Sequence, residues 1–201
     1  MAIIDQLIVC KKFAGELHDI RDFVTPKQYE VDELFKQLRR GSPYDSVAAC
    51  WEYLNAYVKY PLDVRGRYTD KQKLISFGGA FTYNQPVDYW MFPCEVVARA
   101  RDAASKNRRT LGDCADVATT MVSLLRNQFE SDEIYVVIGI YYPLHKPAGK
   151  HAWVKFMLDE EWYYADPTVI FGDPLNFDLY EEHVLFNDLE IKEVGDAHIV
   201  L

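Results

Sequence analysis

Apolar residues recur at helical spacing through the first forty positions, at Leu7, Ile8, Phe13, Leu17 and Ile20, then at Val31, Leu34, Phe35 and Leu38. Thr25-Pro26 divides the two segments and Arg40-Gly41-Ser42-Pro43 closes the second. The pattern predicts a helical N-terminal extension over residues 1–43. A further helix is expected in "YDSVAACWEYLNAYVKYP", with Asp45 or Ser46 as its cap and Val47, Trp51, Leu54 and Val58 as its apolar stripe. Residues 62–90, rich in Gly, Tyr and Asp, read as irregular. Another helix is expected after Pro93, running to about Ser105. The stretch "LGDCADVATTMVSLLR" predicts one more, with Val117, Met121, Leu124 and Leu125 on its buried face.

From Ile134 the period becomes strand-like, in "EIYVVIGIYY", "KHAWVKFML" and "EWYYADPTVIF". The tail, 176–201, is expected to hold a short helix and a final strand, "DAHIVL". Helices followed by antiparallel strands make an α+β protein. In "KHAWVKFML", His151, Trp153, Lys155 and Met157 share one face. The following "DEE" is short enough for a hairpin. With Asp159 and Glu160 as a two-residue loop, Leu158 faces Glu161, Trp153 faces Asp166, and His151 is a diagonal neighbour of Asp166 on one face. A three-residue loop would throw Asp166 to the other face. A working His151–Asp166 pair therefore requires the two-residue register or a compensating bulge.

Composition narrows the class. The 201 residues, 49% hydrophobic and 14% aromatic, suffice for one well-filled core. The longest apolar runs are too short to span a bilayer, so no membrane partner is expected. The start "MAIIDQLIVCKKF" carries an early Asp5 and no basic region, and does not read as a signal peptide; a cytoplasmic location is expected. A net charge of −9 argues against nucleic acid, since phosphate binding needs a positive field. Cys10, Cys50, Cys94 and Cys114 are far apart with no CxxC pair, which gives no zinc signature.

One of these cysteines has a special address. Gly112 interrupts the chain, Asp113 is a good N-cap, and Asp116 stands three residues on, where it can bond back to the cap amide. Cys114 then occupies the first helical position, where the positive end of the helix dipole stabilises a thiolate. A small buried residue in a capped core helix fits the stretch equally well. A nucleophile needs a base and a group to orient that base. His151 and Asp166 follow in the chain, on adjacent strands.

The blocks "GDCADVATTMVSLLR", "HAWVKF" and "WYYADPT", in this order, resemble the transglutaminase-like superfamily of papain-type cysteine enzymes. Upstream, "DSVAACWEYLNAYVKYPLD" and "DYWMFPCEVV" are similar to segments that precede the cysteine in bacterial transglutaminase-like peptidases. The resemblance runs from Tyr44 to Thr168. It implies a papain/transglutaminase-like core over 44–175 with the tail, 176–201, packed on it. It also implies a Cys-His-Asp triad: Cys114 as nucleophile, His151 as base and later acid, Asp166 as orienter. The oxyanion would meet the Cys114 backbone N–H and an upstream donor, for which the Trp90 indole is the candidate. Asp113 and Asp116 would support the helix end as caps. The implied activity is hydrolysis or acyl transfer at peptide or isopeptide amides, through an acyl-thioenzyme, with a protein or peptide substrate. The alternative is a structural or assembly module of the same fold, for example a component of a phage or virus-like particle, located in the virion.

The chain departs from its relatives at Ala115, where they carry Glu. Some bacterial members bind calcium with the acidic residues around the cysteine. The lost carboxylate argues against that here, and no cofactor or metal is expected. "ARARDAASKNRR" also lengthens the stretch between Glu95 and Cys114.

Overall fold

A computed structural model of the chain describes residues 2–3, 9–11, 17–61, 71–76, 80–85, 90–144, 147–169 and 175–194. Its strands are β1 (Ala2–Ile3), β2 (Val9–Lys11), β3 (Leu17–Asp19), β4 (Val58–Lys59), β5 (Lys71–Ser76), β6 (Ala80–Gln85), β7 (Thr110–Leu111), β8 (Ile134–Tyr141), β9 (Gly149–Leu158), β10 (Glu161–Ala165), β11 (Tyr180–Phe186) and β12 (Ile191–Glu193). The helices are α1 (Tyr29–Leu38), α2 (Pro43–Tyr57), α3 (Pro93–Ser105) and α4 (Cys114–Leu125). An antiparallel sheet in the order β1-β12-β11-β8-β9-β10 forms the floor on which α4 packs, and α1, α2 and α3 pack on α4.

The main core lies between helices and sheet. It joins Leu54, Val96, Met121, Leu124 and Leu125 to Ile134, Val136, Val154 and Phe186. A smaller cluster, Tyr135, Val137, Trp153 and Leu185, covers the other face of the sheet. β8 is thus buried on both faces, which is why "IYVVIGIYY" is continuously apolar instead of alternating. α4 is buried along its length, between the other helices and strands β8 and β9. Its hydroxyls are satisfied within the helix: Thr119 donates to Ala115 O, Thr120 to Asp116 O and Ser123 to Thr119 O.

The hairpin β9–β10 takes the two-residue register, with Leu158 opposite Glu161 and Val154 opposite Ala165. Asp159 and Glu160 both adopt positive φ, 51° and 67°, as this tight turn demands. No bulge is needed.

Five expectations are corrected. The second half of the N-terminal extension is helical, as α1, but the described residues of its first half form no α-helix. There β2 and β3 pair, Val9 opposite Asp19, and a 3-10 turn follows over Ile20–Phe23. The Asp19 carboxylate accepts from Arg21 N at 2.8 Å, a local bond that competes with the helix. Leu7, Ile8 and Phe13 lie outside the described residues. α2 is capped by Ser42, whose hydroxyl accepts from Asp45 N at 3.1 Å, and not by Asp45 or Ser46. Pro43 starts this helix at its first position instead of ending the previous one.

Within the segment read as irregular, β5 and β6 pair as a hairpin, Lys71 opposite Gln85. The tail has its short helix, a 3-10 turn at Phe177–Leu179, but "YEEHVLF" then forms β11 in the middle of the sheet, between β12 and β8. Glu181, Glu182 and His183 hid it, and a register shift between Glu182 and Val184 breaks its alternation. "DAHIVL" lies outside the described residues.

Candidate active site

The site is assembled at the start of α4. The Asp113 side chain accepts from Asp116 N at 3.2 Å, and Asp116 Oδ2 accepts from Asp113 N at 3.0 Å, which closes a reciprocal capping box. The second Asp116 oxygen accepts from Met91 N at 2.8 Å, tying the segment before α3 to the helix end. Cys114 is the first residue of α4 and is half-buried.

His151 reaches this point from β9. Its Nε2 lies 2.7 Å from Asp166 Oδ2, and the Cys114 side chain is near enough to the ring to raise its pKa. With Nε2 on the carboxylate, Nδ1 is the nitrogen left for the sulfur. Burial pushes the imidazolium toward losing its proton, but the bonds and charges of Asp166 and Cys114 outweigh it and raise the His151 pKa to about 10. Asp166 follows β10 and is fully buried. Burial pushes its carboxyl up, yet hydrogen bonds from His151 and Thr168 and the imidazolium charge leave it below its ordinary value. Rings of Tyr141, Trp153 and Tyr180 surround the imidazole, with centroids 5.6, 6.2 and 6.4 Å away.

Several supporting groups were not read from the sequence. Tyr180, on β11, donates its hydroxyl to Asp166 Oδ2 at 3.0 Å, and burial beside that carboxylate holds the phenol protonated. Thr168 donates its N–H and hydroxyl to Asp166 Oδ1, at 2.9 and 2.6 Å. The loop carrying Asp166 is strapped to α2: Asn55 Nδ2 donates to Pro167 O at 2.5 Å and Trp51 Nε1 to Val169 O at 2.9 Å. Tyr60, just beyond α2, places its hydroxyl 3.5 Å from Cys114 Sγ. Only Asp166-Pro167-Thr168 had a local cue, since Asp and Thr around a Pro favour such turn bonds.

The Trp90 ring meets Phe23 edge-on at 5.3 Å and stacks on Phe186 at 6.1 Å, as a residue packed against the core. The residues around Cys114 do not fit a calcium site. Both Asp116 oxygens and one Asp113 oxygen accept backbone N–H groups, and Ala115 offers no carboxylate. Among the described residues no group of three His, Cys, Asp or Glu side chains could hold a metal ion. Among them, too, no helix is long and apolar enough to cross a membrane.

A buried helix with a thiol at its N-terminus, laid on an antiparallel sheet that carries a hydrogen-bonded imidazole and carboxylate, defines the α+β, transglutaminase-like fold. Among solved structures, the chain is similar to LapG of Legionella pneumophila in its EGTA-treated form, with a TM-score of 0.54 at 15% identity over 84% of this chain and 76% of that one. It is similar to calcium-bound LapG with a TM-score of 0.51 at 15% identity, over 84% of this chain and 78% of that one. No family model and no curated protein sequence matches the chain.

Proposed function

We propose that this protein is a cysteine hydrolase that cleaves peptide or isopeptide amides of a protein substrate through Cys114, His151 and Asp166. One observation carries the reading: the His151 imidazole sits 2.7 Å from the buried Asp166 carboxylate and near enough to Cys114 for that side chain to raise its pKa. The fold shared with LapG supports it. In the forward half-reaction the Cys114 thiolate attacks the carbonyl carbon and forms a C–S bond. The tetrahedral adduct collapses, the C–N bond breaks, and the His151 imidazolium gives its proton to the departing amine. Water then attacks the thioester, His151 takes its proton, and the thiolate leaves with the acid released. Asp166 stabilises the imidazolium and fixes which nitrogen faces the sulfur. Hydrolysis is favoured over transfer to an amine because the motif resemblance is to the peptidase branch.

The test is selective alkylation. Iodoacetamide near neutral pH is expected to label Cys114 more than about tenfold faster than Cys50 or Cys94, because the thiolate is the reacting form. Burial pushes the Cys50 thiol up to about 12, and burial with the Glu95 charge raises Cys94 as well. Equal, slow labelling of all three, read by peptide mass spectrometry, would sink the proposal.

Calcium enters this proposal only as a negative expectation. Because backbone amides occupy both Asp116 oxygens and one Asp113 oxygen, EGTA should leave the Cys114 labelling rate unchanged. A loss of labelling that added calcium restores would contradict it.

A further inference from the structure

Tyr60 has no part in the reaction as written above, yet its hydroxyl is within hydrogen-bonding distance of the sulfur, 3.5 Å from Sγ. The backbone builds that approach. β4 and β7 pair in parallel, Val58 with Thr110 and Lys59 with Leu111, and Gly112 N extends the ladder to Lys59 O at 3.1 Å. Tyr60 and the Gly112-Asp113-Cys114 turn therefore leave one ladder side by side. The Arg109 guanidinium clamps the same junction from the α2 side, donating to Asn55 O at 2.5 Å and Val58 O at 2.6 Å. There is no slack at Gly112, where an added Cβ would stand 2.8 Å from Val58 Cγ1. Tyr60 is thus held at the thiol by backbone pairing.

We propose that Tyr60 is a catalytic residue, its hydroxyl donating a hydrogen bond to the oxyanion that forms when Cys114 attacks a carbonyl. The proposal rests on the reading of Cys114 as nucleophile. A hydroxyl already at the sulfur is in range of an oxygen on the carbon that the sulfur attacks, since nucleophile and oxyanion donors share a reacting centre about 3 Å from each. The second donor is the Cys114 backbone N–H, which at the first helical position has no acceptor within the helix. His151 is held by Asp166 and carries the proton transfers of the proposed reaction. The Trp90 indole belongs to a ring packed on Phe23 and Phe186. In the step itself the C–S bond forms and the carbonyl π pair moves onto oxygen. That oxygen accepts from Tyr60 O–H and Cys114 N–H. The pair returns as the C–N bond breaks, and Tyr60 keeps its proton throughout.

Two reagents acting at the same sulfur separate this role from others. p-Nitrophenyl acetate acylates Cys114 through a tetrahedral oxyanion, whereas iodoacetamide alkylates it by displacement at a saturated carbon and forms none. In the full chain carrying Tyr60→Phe, the nitrophenol burst rate is expected to fall about 10²-fold, as for loss of one oxyanion donor. The alkylation rate of Cys114 is expected to stay at the wild-type value. Parallel loss of both rates would show Tyr60 acting on the thiol and overturn the proposal, as would an unchanged burst. If Tyr60→Phe fails to fold, 3-fluorotyrosine at position 60 replaces it. This stronger donor is expected to speed the burst and leave alkylation alone, and no change in the burst overturns the proposal. A wild-type chain without a Cys114-dependent burst sinks the hydrolase reading and this proposal together. A wild-type burst that Tyr60→Phe leaves intact sinks the role of Tyr60 alone.

Discussion

In the proposed hydrolase reaction, Asp166→Asn is expected to lower turnover at Cys114 by roughly 10⁴-fold, the scale seen when a triad carboxylate becomes an amide. The buried carboxylate accepts four hydrogen bonds: from His151 at 2.7 Å, Tyr180 at 3.0 Å, and Thr168 N and Oγ1 at 2.9 and 2.6 Å. All four groups donate to the carboxylate as it stands, so an amide NH₂ in either orientation displaces at least one of these bonds. If that NH₂ points at His151, the ring turns its unprotonated Nε2 toward it and carries its proton on Nδ1, facing the sulfur. A base in that tautomer cannot take the proton it should. The same substitution leaves buried donors with a poorer partner, at about 1–3 kcal/mol of stability. A variant that retains turnover within tenfold of wild type would refute the orienting role.

The pH dependence carries its own sign. His151 is raised from 6.5 to about 10 in the folded protein, so its stabilising contribution is complete below 6.5 and fades as pH rises toward 10. Asp166 is lowered, so its contribution is present above its ordinary value of 3.8 and is lost as pH falls through its folded-state value. The alkaline limb of the pH–rate profile is therefore expected near 10, where the imidazolium disappears. In Asp166→Asn that limb should move down, since one of the groups that raise His151 is gone. Rate profiles of both proteins, with melting curves across the same range, check both signs.

Gly139→Ala is expected to destabilise the protein by about 3 kcal/mol or more, at the upper end of what overpacking costs. Gly139 stands opposite His151 across the β8–β9 ladder. A Cβ there would lie 1.8 Å from the carbonyl oxygen of Glu181 and 2.7 Å from Trp153 Cη2. The first of these is backbone of β11 and cannot swing aside. Relief requires β11 to move off β8, and β11 carries Tyr180, the hydroxyl that braces Asp166. Stability and Cys114 labelling should fall together in this variant. Denaturant unfolding showing a change within about 0.5 kcal/mol would contradict the close approach.

Some features of this geometry were legible residue by residue. The start of α4 follows from Gly112, Asp113 and Asp116, because a cap and its reciprocal carboxylate act across three positions. The β9–β10 register follows from alternation and a loop too short for anything but a tight turn, and it sets His151 and Asp166 on one face. Other features gave a misleading signal. Glu182 looks like a surface charge in "YEEHVLF", but it is mostly buried, 2.7 Å from Lys155 Nζ and bonded by Tyr164. The partner that makes this affordable is 27 positions away. Helical spacing near the N-terminus was likewise overridden by strand pairing and the Asp19 turn.

Caps, turns and periodicity act over a few residues, so the chain itself specifies α3, α4, the β9–β10 hairpin and the helix-end setting of Cys114. Contacts at long sequence separation were decided by packing alone. Tyr60 meets Cys114 across 54 positions through a two-residue parallel ladder too short to leave a pattern. Tyr180 reaches Asp166 from a strand whose charges conceal it, and Trp90 packs against the core because Phe23 and Phe186 offer it aromatic partners. Propensity acts along the chain, whereas the groups that surround the thiol and the carboxylate are chosen by which surfaces the closed fold brings into contact.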